Sequence, residues 1–158
     1  GMIGMRSKLM TVSKGEATVN SMFDSWQAMT AKVPARSTGS LVSLENGEAT
    51  AYSLAGSEER GKLFIGPGEK VYPGMVVGEN AKERDLGLNV VKGKKLTNVR
   101  ASGSDKNIKL TPPTRFSLEE NLEFLAQDEM LEVTPKSLRL RKTILDEQER
   151  RKSQRTKI

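Results

Sequence analysis

The sequence predicts a mainly β fold of the α+β class, with one or two helices. Three observations carry that prediction. Between residues 40 and 91, short runs rich in Val, Leu and Ile are cut by Gly and Pro too often for helices to develop. Around Pro135, two further alternating runs face each other across a turn signal. The segment opening at Ser117 combines a helix-start signature with leucines at helical spacing.

Taken in order, Gly1 to Lys14 reads as a helix with Ile3, Leu9, Met10 and Val12 as apolar positions, ended by Gly15. Glu16 to Met29 alternates through Ala17, Val19, Met22 and Phe23, as a strand would. A helix and a lone strand cannot bury both their faces. Residues 1–30 therefore either pack on the rest of the chain or form the end of a neighbouring domain. Residues 31–38 read as a linker, with Pro, Arg, Ser and Thr in close succession. Ser40–Leu44 and Ala49–Leu54 flank Asn46–Gly47, and Asn-Gly supplies the positive φ angles of a type I′ turn, so a hairpin is expected there. Short strands come next at Lys62–Ile65, Met75–Gly78 and Leu88–Val91, separated by Gly66-Pro67-Gly68 and Pro73-Gly74. Ser117 and Glu120 form a capping box for a helix to about Gln127, with Leu118, Leu122 and Leu125 as its inner face. Met130–Thr134 and Ser137–Arg141 are predicted strands. Beyond Lys142 polar residues dominate, predicting a fraying helix or disorder, and residues 146–158 read as a disordered basic tail.

Composition removes whole classes of chemistry. The chain has no cysteine and no histidine, which excludes disulfides, thiolate metal sites and the commonest general base. No apolar run approaches the ~18 residues of a membrane-spanning helix, and the N-terminus lacks the zones of a secretory signal. A cytoplasmic, non-redox, monomeric protein with no membrane partner is the expectation. The formal charge of +6 lies in one place. Residues 1–135 hold 17 basic and 17 acidic side chains, whereas residues 136–158 hold nine basic ones against Asp146, Glu147 and Glu149. Within the neutral part, residues 92–109 carry six basic side chains and only Asp105, while residues 119–132 carry six acids and no base. Segregation of this kind points to a polyanionic partner for the basic stretches.

Individual motifs narrow the candidate chemistry further. A phosphate-cradling P-loop requires G-x-x-x-x-G-K-[ST], and neither Gly61-Lys62-Leu63 nor Gly93-Lys94-Lys95 has the final hydroxyl residue. Glu58–Glu59, Glu119–Glu120 and Asp128–Glu129 are adjacent pairs, which on a helix point about 100° apart and are expected to be solvated. The informative segment is the loop Lys92–Lys109. Lys92, Lys94, Lys95, Arg100 and Lys106 supply charge for phosphates, and Thr97, Asn98, Ser102 and Ser104 can hydrogen-bond sugar or phosphate oxygens. Composition alone weighs that reading evenly against a solvated loop, since the loop holds no aromatic to stack a base. The strand Ser137–Lys142 alternates, putting Leu138 and Leu140 on one face and Arg139 and Arg141 on the other. With Lys136 and Lys142 it forms a second candidate RNA surface; an edge strand protected by charge weighs slightly more, and both readings can hold at once.

Longer motifs carry a resemblance. Gly61-Lys-Leu-Phe-Ile-Gly-Pro-Gly-Glu-Lys-Val-Tyr-Pro-Gly-Met-Val-Val-Gly-Glu-Asn80 and Lys94-Lys-Leu-Thr-Asn-Val-Arg-Ala-Ser-Gly-Ser-Asp105 resemble the central blocks of the TypA/BipA translational GTPases. Gly1–Ser7, Gly39–Ser43, Ile108–Pro113 and Glu132–Lys142 continue that resemblance in the family's order. It covers essentially the whole chain except the last ten or so residues. One departure is Val99, where many relatives would have Met. The resemblance implies that residues 1–30 end an α/β domain like that of elongation factor G, and that residues 39–145 form a family-specific C-terminal domain. GTP and its Mg would belong to an N-terminal domain outside this chain, leaving it no cofactor and no catalytic residue. It further implies a ribosomal partner, with the Lys94–Asp105 loop meeting large-subunit rRNA and A-site tRNA. The alternative expectation is a protein-docking module, using the acidic 119–132 stretch or the apolar hairpin.

Overall fold

A computed structural model describes residues 5–28, 36–93 and 108–156. The first helix, α1 (Met5–Val12), ends as expected: Lys14 and Gly15 take positive φ, and the Gly15 N–H donates to the Met10 carbonyl at 2.8 Å. The strand expected at Glu16–Met29 does not form over residues 16–28. Alternation alone cannot hold a strand that has no partner edge. Met22, Phe23 and Trp26 stand exposed there, Trp26 at 93%.

The main sheet has four strands in the order β3 (Gly61–Leu63), β5 (Val76–Asn80), β1 (Ser40–Ser43) and β6 (Leu86–Leu88). β5 runs antiparallel to both β3 and β1, and β6 runs parallel to β1. The expected strands at 40–44, 62–65 and 75–78 thus appear, shifted by a residue or two at their ends, whereas the one expected at 88–91 shares only Leu88 with β6. The expected hairpin about Asn46–Gly47 does not form. β2 (Gly47–Glu48) pairs instead with β4 (Lys70–Val71), and Ala51–Glu58 is a helix, α2. Thr50 starts it, its side chain accepting from the Ser53 N–H, and Ala51, Leu54 and Ala55 favour a helix. Helix capping at Thr50 overrides the turn signal at Asn46–Gly47.

Strand alternation sends successive side chains to opposite faces of this sheet, and each face has its own core. Leu41, Leu63, Ile65 and Val77 pack with Leu54 of α2 and Val90. On the other side, Phe64 and Val76 pack with Phe124 and Leu140. That second core is closed by α3 (Leu118–Phe124) and by the hairpin of β7 (Glu129–Val133) and β8 (Leu138–Lys142). The capping box of α3 forms as predicted, with Ser117 and Glu120 bonding reciprocally. Its inner face matches expectation only at Leu125, which packs against the second core. Asn121 and Phe124 are buried while Leu118 and Leu122 are exposed, because Phe124 meets Phe64 edge-on at 5.1 Å. The hairpin docks where Gly74, at φ 84 in the Tyr72–Met75 turn, offers its carbonyl to the Lys142 N–H at 2.8 Å. A side chain at Gly74 would collide with Leu145. The basic tail is helical over Glu147–Thr156 (α4), the helical one of the two expectations for it, with the Asp146 carboxylate accepting from the Glu149 N–H.

Candidate nucleic-acid interface

Most of the predicted loop lies outside the described residues: Lys94, Lys95, Thr97, Asn98, Arg100, Ser102, Ser104 and Lys106. Its two stems are described, and both are tied to α2. On the leading stem Lys92 is exposed, its N–H bonded to the Asn89 side chain at 3.1 Å and its carbonyl accepting from Thr50 Oγ1 at 2.8 Å. On the trailing stem the Thr111 N–H donates to Glu58 Oε1 at 2.6 Å. Thr50 caps one end of α2 and Glu58 is its last residue. Eight residues at ~1.5 Å rise separate the stems by about 12 Å, so the helix acts as a spacer at the loop's base. Sequence reasoning missed this anchor because it read Ala49–Leu54 as strand.

The second predicted surface divides. Lys136 is exposed at the tip of the β7–β8 hairpin, where the Thr134 N–H bonds the Ser137 carbonyl at 3.0 Å. Arg139 is half-buried, and the structure brings it to the same groove as Lys136. Arg141 is engaged, its Nε 2.8 Å from Glu132 Oε1. Glu132 also accepts from the Tyr72 hydroxyl at 2.7 Å; burial first, and this bond second, raise the Tyr72 pKa and keep the phenol protonated.

Lys142 must be removed from the RNA-facing set. Its side chain is 1% exposed, and its ammonium contacts Asp85 Oδ2 at 2.5 Å, Asp128 Oδ2 at 3.0 Å and Glu129 Oε1 at 3.0 Å. Register explains this: Lys142 pairs with Glu129 on the core side of the hairpin, the side of Leu131 and Leu140. Burial opposes the charge, but Asp85 and Glu129 outweigh it and raise the Lys142 pKa. Burial likewise opposes ionisation of Glu129; the Ser40 hydroxyl, Lys142 and the other donors reverse that and lower its pKa. Arg36 completes the cluster from the predicted linker. Its guanidinium lies 3.8 Å from the centre of the Phe124 ring and bonds Glu129 Oε1 at 3.1 Å and Ser40 Oγ at 2.8 Å. Asp128 and Glu129 therefore do converge, though on a lysine and not on a substrate, because Asp128 lies in the turn before β7 and Glu129 opens the strand, so neither helical spacing nor strand alternation separates them. No local signal marked Arg36 or Asp85, since their partners lie tens of residues away.

Among the described residues no cluster of His, Cys, Asp or Glu could hold a metal ion, and no helix is long and apolar enough to cross a membrane. The convergent carboxylates are filled by Lys142 itself.

The TypA/BipA C-terminal domain matches residues 38–147. The large ribosomal subunit assembly factor BipA of Bacillus subtilis (strain 168) is 46% identical over 158 residues, covering 99% of this chain and 26% of that protein. Its namesakes in Escherichia coli (strain K12) and Haemophilus influenzae are 44% and 43% identical, over 98% and 99% of the chain and 26% of each relative. The chain thus spans about a quarter of the length of these relatives. The start of the matched domain falls between Arg36, which braces Glu129, and Ser40, which donates to the same carboxylate. By this match and these identities, the chain belongs to the TypA/BipA family and carries its C-terminal domain.

Proposed function

We propose that the chain is the ribosome-binding C-terminal region of a TypA/BipA-type GTPase, meeting large-subunit rRNA and A-site tRNA through the Lys92–Lys109 loop. The observation that carries this reading is similarity along 98–99% of this chain to relatives named as large ribosomal subunit assembly factors. Charge supports it, since residues 92–109 carry five excess positive charges and the described stems on either side are hydrogen-bonded to the two ends of α2. Lys136 and Arg139 are a flanking contact. GTP hydrolysis, with its Mg, belongs to the part of the parent outside this chain, and the parent works in the cytoplasm.

The test is association with large ribosomal subunits across a salt series. Changing Lys94, Lys95 and Arg100 to Ala in the parent protein weakens binding at least tenfold while leaving the fold intact. Association unchanged across the series sinks the loop assignment. A second reading, protein docking, draws on α3, where Leu118 and Leu122 are exposed among acidic neighbours. It predicts that Leu122→Glu, rather than the loop variant, abolishes association.

A further inference from the structure

The loop holds cations but no aromatic, so it can grip phosphates without stacking a base. The fold supplies the missing ring elsewhere. A groove of about 620 Å³ runs between β8 and the segments carrying Phe64, Lys70 and Phe116. That size falls within the usual range of ligand clefts. Its floor includes Phe64, Phe116, Leu138 and Leu140. Phe64 and Phe116 are 4.8 Å apart, and Phe116 is only partly buried, so one ring of the pair remains accessible.

The rim is cationic. Lys70, Arg115, Lys136 and Arg139 line it, against the single carboxylate of Glu69. Arg115 is paired with Glu69. Among the described residues, Lys70, Lys136 and Arg139 have no carboxylate within 4.0 Å. Three cations without local partners around an apolar floor suit an anion with a flat apolar body.

Backbone geometry adds a third feature. The Lys142 N–H donates away from β7, to Gly74. In an antiparallel ladder residues two apart share a direction, so Leu138 also turns its N–H and C=O away from β7. The hairpin-tip bond from Thr134 N–H to Ser137 C=O has the same phase. Outside the ladder, no described backbone group bonds Leu138. One residue thus offers an adjacent donor and acceptor at the groove wall, complementary to the edge of a base.

We infer that this groove binds an unpaired nucleotide of single-stranded RNA, its base over Phe116 and against the Leu138 backbone, its phosphates on Lys70, Lys136 and Arg139. The inference rests on the RNA-binding reading but concerns a different face from the loop. An acidic extended peptide, adding to the free edge of β8, is the competing occupant. The partly exposed ring beside the unpaired cations favours the nucleotide, because a nucleotide brings a flat π face and a phosphate together, whereas the side chains of an acidic peptide supply only the negative charge.

The experiment titrates the isotopically labelled chain with hexauridylate and follows amide shifts. Leu138, Leu140 and Phe116 shift together, and Phe116→Leu weakens binding about fivefold or more, the loss expected for one stacked base. Lys136→Glu, on an exposed side chain, lowers affinity and the salt dependence without touching the core. Shifts that leave Leu138 and Phe116 unmoved at millimolar hexauridylate overturn the inference. So does stronger binding at these amides by a capped Glu-Val-Glu-Val-Glu-Val-Glu peptide, which reassigns the groove to protein. The loop variant in the ribosome assay reports separately: if it loses ribosome binding while the groove stays silent, this inference fails and the proposed function stands.

Discussion

Lys142 illustrates how far one side chain's role depends on its neighbours. In sequence it ends a basic strand, yet in the fold its ammonium is enclosed by Asp85, Asp128 and Glu129. Replacing it with Met leaves Asp85 and Asp128 without this counter-ion and Glu129 with Arg36 alone. Breaking a buried pair costs about 3–5 kcal/mol, and the partial exposure of Asp85 and Asp128 places this variant near ~3 kcal/mol. A stability loss of that size in urea titration checks it; a loss under about 1 kcal/mol refutes the enclosure. The same cluster sets a pH profile. Glu129 has a pKa below its ordinary 4.5, so its contribution is present above 4.5 and disappears as pH falls through the lowered value. Lys142 has a pKa above its ordinary 10.5, so its contribution holds below 10.5 and is lost as pH climbs through the raised value. Thermal midpoints should therefore stay level between these limits and drop on both sides. Glu129→Gln should flatten the acidic drop, and an unchanged acidic limb in that variant counts against the assignment.

At the level of elements, local signals were reliable where a side chain acts on its own backbone. Ser117 and Glu120 close the first turn of α3 as their spacing requires, and Ser117→Ala should cost about 1 kcal/mol, read as a lower thermal midpoint. An equal midpoint would mean that tertiary packing alone holds α3. The β7–β8 hairpin was legible for a similar reason, since Thr134 and Ser137 bond across Pro135 and Lys136. Asn46–Gly47 failed as a hairpin signal because a turn needs two strands to join, and Thr50 had already committed the second to α2. The alternation from Glu16 failed for want of a partner edge. The inner face of α3 failed because three phenylalanines, from β3's end, Phe116 and α3 itself, meet within 5.5 Å and draw Phe124 inward.

Across the whole molecule, charge and shape are arranged on separate features. The loop rises from the two ends of α2, while Lys136 and Arg139 rim a groove floored by the second core. Every phosphate interaction that a substitution removes should flatten the dependence of log affinity on log salt by about 0.7–0.9. The triple loop variant in the ribosome assay should therefore lower the slope by about two, and Lys136→Glu by about one. A slope that does not change with either variant would separate these cations from phosphate.

Composition, charge placement and motif order by themselves determined the family, the α+β class, the absence of thiol and imidazole side chains and the basic loop. These depend only on which residues are present and in what order. Tertiary structure alone decided that Lys142 is interior, that Arg36 braces Glu129 across the fold, and that α2 spaces the loop stems. It alone brought Phe116 beside Lys136 and Arg139. Each of these is a contact between residues far apart in the chain, set by strand register and packing, and periodicity within a segment carries no information about which distant segment it will meet.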